Sequence, residues 1–545
     1  MTKYVIGLDY GTLSARALLA DTDTGRAAAT ADFAYPHGVM TQGLPEGWAL
    51  QHPQDYLDAL LALIPQVMRE SGVSPADVIG LGLDCTACTA FPVDSAGVPL
   101  CFLPRWRQEP HAYAKLWKHH AAQARAERIT EIAAARGESW LLRYGGKVSG
   151  EWGLPKLWEL LDEAPALFAA MHSWAEAGDW LVWQLTGRET RNACAASYKH
   201  FYQPGIGYPA KDFYRAVDPR LEHVIAEHFT APVIAAGQKA GELTAQMAEK
   251  LGLPAGIAVS AASVDAHTCV PAAGITQPGE MLAIIGTSTC VMTLSDTDHA
   301  VPGICGTARD AILPGFYASE AGQSCVGDLL AWFCDHCVPG EYRRQARESG
   351  QGIHQYLTAL AERQFPGESG LLALDWWNGN RSVLVDFDLS GLLLGMTLQT
   401  RPEEIYRALL ESTACGLRVI VENFREHGVP VKRLLATGGI PRKNALAMQI
   451  YADVLGMPIQ VTDAEQGAAL GSAIYAAAAA GRYPSLQAAI RAMATPVRTV
   501  YTPIPGQKAV YDELYAEYKT LHDYFGRGGN DVMKRLKKRK QKAPG

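Results

Sequence analysis

Apolar runs punctuated by glycine give the first reading of this chain. Val5-Ile6-Gly7-Leu8-Asp9-Tyr10 is a largely apolar run that meets Gly11-Thr12, and Leu13-Ser14-Ala15-Arg16-Ala17-Leu18-Leu19-Ala20-Asp21 is a second run ending on a carboxylate. This pattern predicts two strands joined by a tight glycine turn. It recurs at Met281-Leu282-Ala283-Ile284-Ile285, Gly286-Thr287 and a further apolar run, with an Asp ten residues after the glycine in both copies. With the Gly-Thr pairs aligned, Ile284 stands where Asp9 stands. Backbone amides at a glycine turn can approach a phosphate closely. A carboxylate beside them calls for a cation, and Mg²⁺ is the usual one. By itself the first hairpin suits a buried amino-terminal hairpin equally well. The second copy predicts two related domains facing one nucleotide.

Further along, residues 53–63 read as an amphipathic helix, and 78–84 as a strand ending on Asp84. A carboxylate at a strand's carboxyl end is either a ligand contact or a loop or N-cap residue. Residues 111–135 are polar on one side, which predicts a helix with His119 and His120 on a solvated face; helices are also expected over 152–161 and 174–185. Lys199 sits among small and aromatic residues. A buried strand from residue 257 ends before Asp265, and the domain boundary is placed near residue 275. Glu320 is expected in a small-residue turn over 317–322, and a long helix over 402–424. Residues 434–437 form a strand that meets Gly438-Gly439, and a helix follows over 444–455, an arrangement able to hold a nucleotide by backbone alone. Residues 465–473 open a small-residue helix, and the basic run 534–540 reads as a solvated, disordered end. The expected domains are 1–275, 276–505 and an extension, 506–545.

Composition changes this picture little. A chain of 545 residues calls for two or three domains, and 48% hydrophobic with 19% charged residues is globular. A net charge of −7 gives no sign of nucleic-acid or membrane partners. No signal segment and no apolar run of roughly 18 residues occurs, so a cytoplasmic protein is expected. Cys85/Cys88 and Cys334/Cys337 form Cys-x-x-Cys pairs, but they lie far apart, and buried free thiols are expected over a zinc site. The Walker phosphate loop, G-x-S-x-G and H-E-x-x-H are absent, and the glycines around Ile206 read as a loop.

The motifs together resemble the FGGY carbohydrate kinases of the wider sugar kinase, Hsp70 and actin superfamily. Gly7 to Thr12 resembles that family's first phosphate motif, Ile285 to Ser288 its second, and Ala436 to Gly439 its adenosine motif. Gly391 to Met396 and Glu404 to Glu411 fit its carboxyl-terminal signature. The amino-terminal signature keeps Lys156-Leu157-Trp158, with Gly153 where Pro, Ser or Thr is usual. The likeness covers residues 1–505. It implies an α/β fold of two ribonuclease H-like domains around a central cleft, ATP on Gly11, Thr12, Gly286, Thr287, Gly438, Gly439 and Asn444, and Mg²⁺ on Asp9. The segments Leu83 to Thr89, Pro110 to His120 and Ser263 to Thr268 resemble the branch of the family that phosphorylates L-ribulose, not the xylulose branch. That likeness implies a sugar pocket of Asp84, Ala87, Lys199, Asp265 and Glu320, with Asp265 as general base. The implied reaction is ATP-dependent conversion of L-ribulose to L-ribulose 5-phosphate in L-arabinose catabolism. The alternatives are a kinase for D-ribulose, L-xylulose or ribitol, or a nucleotide-driven binding protein of the same superfamily. The partners are then the sugar and ATP, and the likeness permits a homodimer.

Overall fold

The computed structural model describes residues 2–463 and 465–541. In the first lobe, β1 (Tyr4–Tyr10), β2 (Ser14–Asp21) and β3 (Ala27–Ala34) form an antiparallel meander. Helix α1 (Pro53–Ser71) returns the chain so that β4 (Val78–Cys85) lies parallel to β1 on its other side. Pro53 opens α1 and Gly72, at φ 66°, closes it, while Tyr56, Leu60, Leu63, Ile64 and Val67 face the core. With β5 (Lys239–Glu242) and β6 (Ala258–Ser260) the sheet order is β5-β6-β4-β1-β2-β3. A second unit, mostly between β4 and β5, is built on a small four-stranded sheet whose strand Leu50–Gln51 precedes β4, with α2 (Gly153–Glu163) and α3 (Ala193–Lys199) among its helices. Helix α4 (Asp265–Ala272) follows β6.

The second lobe repeats the plan. Its strands are β7 (Gly279–Ile285), β8 (Thr289–Ser295), β9 (Gly306–Arg309), β10 (Tyr317–Gln323), β11 (Val431–Thr437), β12 (Ile459–Thr462) and β13 (Val497–Tyr501), in the order β9-β10-β8-β7-β11-β12-β13. Apart from the extra edge strand β9, this is the first lobe's order, with β7 in the place of β1 and β11 in the place of β4. Helices α5 (Pro402–Glu426), α6 (Ala445–Leu455) and α7 (Gly467–Ala479) occupy the connections. β1 and β7 are buried almost throughout, which is why both read as nearly continuous apolar runs.

Helix α7 ties the lobes. It packs against α4, β1 and β4, and its small residues let backbones touch. A Cβ on Gly7 would sit 1.8 Å from Ala469 O, and one on Gly82 would sit 2.1 Å from Ser472 O. Glycine at both positions is therefore a packing requirement. Helix α8 (Pro505–Gly526) lies on the second lobe with Tyr511, Tyr515, Tyr518 and His522 buried.

Five expectations are corrected. Residues 111–135 are not one helix, since only Gln123–Arg136 is helical and Ala114–Lys115 is a strand. His119 is fully buried, not solvated: its Nε2 lies 2.7 Å from Glu159 Oε2, which also accepts from Lys115 Nζ at 2.6 Å. The partner carboxylate arrives on α2, forty residues on, so local polarity misreads the face. Residues 174–185 divide into the strand Ser173–Glu176 and the helix Ala177–Thr186. Glu320 lies within β10, paired with Met292, not in a turn. The basic run lies on helix α9 (Val532–Gln541), where Lys534 pairs with Asp386 at 2.6 Å and Lys537 with Asp388 at 3.1 Å. Among the described residues no helix is long and apolar enough to cross a membrane.

Candidate active site

Both hairpins close on a glycine amide, the first turn spanning four residues between paired strands and the second three. Gly11 N–H donates to Ser14 O at 3.0 Å, and Gly286 N–H donates to Ser288 O at 2.9 Å. The glycine amides thus close their own turns. The amides of Thr12 and Leu13, and of Thr287 and Ser288, have no acceptor among the described residues. These are the donors each turn offers outward. Thr12 is held from behind, its carbonyl accepting from Gln51 Nε2 at 2.7 Å and its hydroxyl from Trp117 Nε1 at 3.1 Å. Gly438 packs directly on the second hairpin: its φ is 108°, and a Cβ there would lie 2.5 Å from Ile285 O. Gly439 is exposed at the start of the next helical turn. Asn444 is the N-cap of α6, accepting from Ala447 N–H at 2.9 Å, with Nδ2 reaching Thr358 Oγ1 at 3.3 Å.

The parallel register of β1 and β4 sets Asp9 beside Asp84. In the second lobe the same two positions are Ile284 and Thr437, so the repeat keeps its acidic pair in one lobe only. Asp84 is fully buried and accepts from Ser472 Oγ at 2.6 Å and Thr268 Oγ1 at 3.3 Å. Burial and the neighbouring Asp9 push the Asp84 carboxyl well above the ordinary carboxylate range. Burial raises Asp9 as well, partly offset by Asp84 and by Arg16, whose guanidinium lies 3.5 Å away. Two carboxyls this close titrate as a pair. Asp265 opens α4 and is half-buried, with Ala266 N–H donating to its Oδ1 at 2.7 Å. Burial first, and Asp9 second, raise it to about 7.

A second polar cluster meets the first at Asp265 and spans the lobes. Lys199, the last residue of α3, reaches Glu320 Oε2 at 3.4 Å, and its ammonium lies 5.9 Å from the Trp152 ring centre. Glu320 Oε1 accepts from Arg381 at 2.7 Å, and His267 Nε2 lies 3.4 Å from Oε2. Burial opposes the charge on Glu320, but Lys199, His267 and Arg381 outweigh it and hold the carboxyl far below its usual range. Burial likewise opposes the His267 imidazolium, yet Cys194, 3.0 Å away, and Glu320 raise it to about 9. Ala87 sits half-buried in the turn after β4, packed toward Tyr198 and the neighbouring residues of α3.

The fold therefore brings Asp9, Asp84 and Asp265 together and joins them to Lys199 and Glu320. Sequence reasoning missed Arg381, Arg16, His267 and Ser472 as members. His267 was within reach of it, two residues after Asp265, and Arg16 pairs with Asp9 in a hairpin register that alternation predicts. Nothing local marks Arg381 or Ser472. The eleven cysteines are free, and Cys85 and Cys88 face different core clusters.

The profile of the FGGY family of carbohydrate kinases, N-terminal domain, matches residues 4–270, and that of the C-terminal domain matches residues 281–480. A ribulokinase of Geobacillus thermodenitrificans is 50% identical over 552 residues, covering 99% of this chain and 98% of its own. A ribulokinase of Halalkalibacterium halodurans is 51% identical over 547 residues, covering 98% and 97%. The crystal structure of a xylulose kinase from Rhodospirillum rubrum superposes with a TM-score of 0.78 at 25% identity, over 95% of this chain and 98% of that one. Matched in both lobes and along almost its whole length, this chain belongs to the FGGY family of carbohydrate kinases, enzymes that phosphorylate sugars from ATP.

Proposed function

We propose that this enzyme transfers the γ-phosphoryl group of ATP to L-ribulose, giving L-ribulose 5-phosphate, in the cytoplasm as a step of L-arabinose catabolism. The observation that carries the reading is the charged cluster bridging the lobes, Lys199 with Glu320, next to a carboxylate of base-like pKa, Asp265. Near-full-length identity of about half to relatives named ribulokinase supports the choice of sugar.

In this reading Asp265 accepts the proton of the attacking hydroxyl as its oxygen bonds to phosphorus and the bond to ADP breaks. A carboxylate raised to about 7 is matched to that task near neutral pH. Lys199, Glu320 and the Ala87 turn read the sugar's carbonyl and hydroxyls, since a site built for hydrogen bonds rejects sugars that leave them unmet. Asp84, which has no accessible surface, backs Asp9 from the neighbouring strand. The outward amides of both hairpins receive the phosphates, and Gly438, Gly439 and the start of α6 take the adenosine.

Mg²⁺ fits the acidic pair. It needs one or two protein carboxylates and keeps waters and phosphate oxygens for the rest, and Asp9 offers a partly accessible carboxylate backed by Asp84. When bound, the metal would neutralise phosphate charge.

A coupled ADP-release assay with L-ribulose, D-ribulose, L-xylulose and ribitol tests the reading. The expected result is the highest kcat/KM with L-ribulose. A higher value with another of these sugars, or ADP release indifferent to all of them, overturns it.

A further inference from the structure

A small cavity lies behind Arg381 in the second lobe. Its walls include Gln323 and Ser324 at the end of β10, Trp376, Arg381, and Tyr518 and His522 of α8. Asp375, also on the wall, is fully engaged: Tyr518 donates to Oδ1 at 2.8 Å and Gln323 Nε2 to Oδ2 at 2.8 Å. Four other polar atoms around this cavity have no partner among the described residues: Gln323 Oε1, Ser324 Oγ, Trp376 Nε1 and His522 Nε2. Gln323 is 4% exposed, and Trp376 and His522 are each 1% exposed. A buried polar atom left unmet is destabilising, so four lining one space call for a small polar guest.

Their chemistry defines that guest. His522 Nδ1 lies 2.9 Å from Asp523 Oδ1, which places the ring proton there and leaves Nε2 an acceptor. Gln323 Oε1 is an acceptor because its Nε2 donates to Asp375 and to Thr413 O. Trp376 Nε1 can only donate, and the Ser324 hydroxyl is free to donate. Two donors and two acceptors are the complement of one water molecule, and the space left is that of about one.

We infer that this cavity binds a single water through these four atoms, and that the filled cavity positions Arg381 for Glu320. Residues 379–382 form the shared wall. On one side they close the cavity; on the other, Arg381 reaches Glu320 at 2.7 Å and Ser382 Oγ accepts from Gly322 N–H at 3.3 Å. The carboxyl-terminal helix α8, beyond the end of the family match at residue 480, is thereby a positioning element of the sugar site. The positioning part rests on the reading that Glu320 serves the sugar.

The test is steady-state kinetics of the full chain with His522→Leu, Trp376→Phe and His522→Gln, the last retaining an acceptor. We expect KM for L-ribulose to rise about tenfold in the first two, with KM for ATP and kcat near wild type, and His522→Gln to recover most of the loss. An unchanged sugar KM in both variants, or equal rises in both substrates' KM, overturns the positioning role. A high-resolution crystal structure of the wild-type enzyme tests the site without relying on variant folding or on the identity of the sugar. One water within hydrogen-bond distance of all four atoms supports it, and a dry cavity overturns it. Failure of the wild type to phosphorylate L-ribulose would instead count against the proposed function and leave the crystallographic result standing.

Discussion

Ser472 Oγ donates a 2.6 Å hydrogen bond to Asp84 Oδ2 across 388 residues of sequence. Through it the helix that closes the second lobe's motif set fixes the carboxyl that backs Asp9. Asp84 Oδ1 has no hydrogen-bond partner among the described residues. Ser472→Ala should lower stability by about 1–2 kcal/mol, with a fall in kcat as the acidic pair loses its anchor. Urea unfolding and saturating-substrate turnover measure the two effects.

Asp265 supplies the clearest pH signature. Only its carboxylate accepts a proton, so kcat/KM should rise with pH and level off above about 7. Asp265→Asn should lower kcat by roughly 10²–10⁴ and abolish that limb. Stability runs the other way. The folded-state pKa lies above the ordinary 3.8, so the group's favourable contribution is complete below that value and lost as pH rises to about 7. The stability of Asp265→Asn relative to wild type should therefore improve across that window, as thermal melts at stepped pH would show.

His267 titrates in the opposite sense. Its folded-state pKa of about 9 exceeds the ordinary 6.5, so its stabilising contribution is full below 6.5 and lost as pH rises through about 9. The Tm gap between wild type and His267→Gln should be largest near the acid end of that window and close above it. A gap independent of pH would remove the ionic role.

Asp9→Asn should raise the Mg²⁺ concentration for half-maximal rate at least about tenfold, because water-mediated metal binding depends on a formal charge at that oxygen. Calorimetry of ADP binding with and without Mg²⁺ provides a readout independent of turnover, and a variant still showing the wild-type Mg²⁺ enhancement would reject Asp9 as the metal's carboxylate.

Lys156 is a buried ammonium that donates to Cys88 O at 2.7 Å and Leu116 O at 2.9 Å. It holds the turn beside Ala87, where Cys88 takes a left-handed φ of 56° that a non-glycine residue adopts only when its surroundings impose it. Lys156→Met should cost roughly 2–5 kcal/mol by orphaning those carbonyls, and should raise the sugar KM more than the ATP KM.

The sequence by itself determined the duplicated hairpins and the two-lobed α/β plan, while its likeness to the FGGY kinases is what grouped Asp84, Lys199, Asp265 and Glu320 with Asp9. It could do so because strand alternation, glycine turns and motif spacing are local properties carried in short windows. Tertiary structure alone decided the rest. It put His119 inside against Glu159, placed Glu320 in a strand facing Arg381, ordered the basic tail as a helix, and seated Ser472 on Asp84. Each of these depends on a partner tens to hundreds of residues away. A buried polar or charged group is stable only where its partner arrives, and no local pattern records which distant residue that will be.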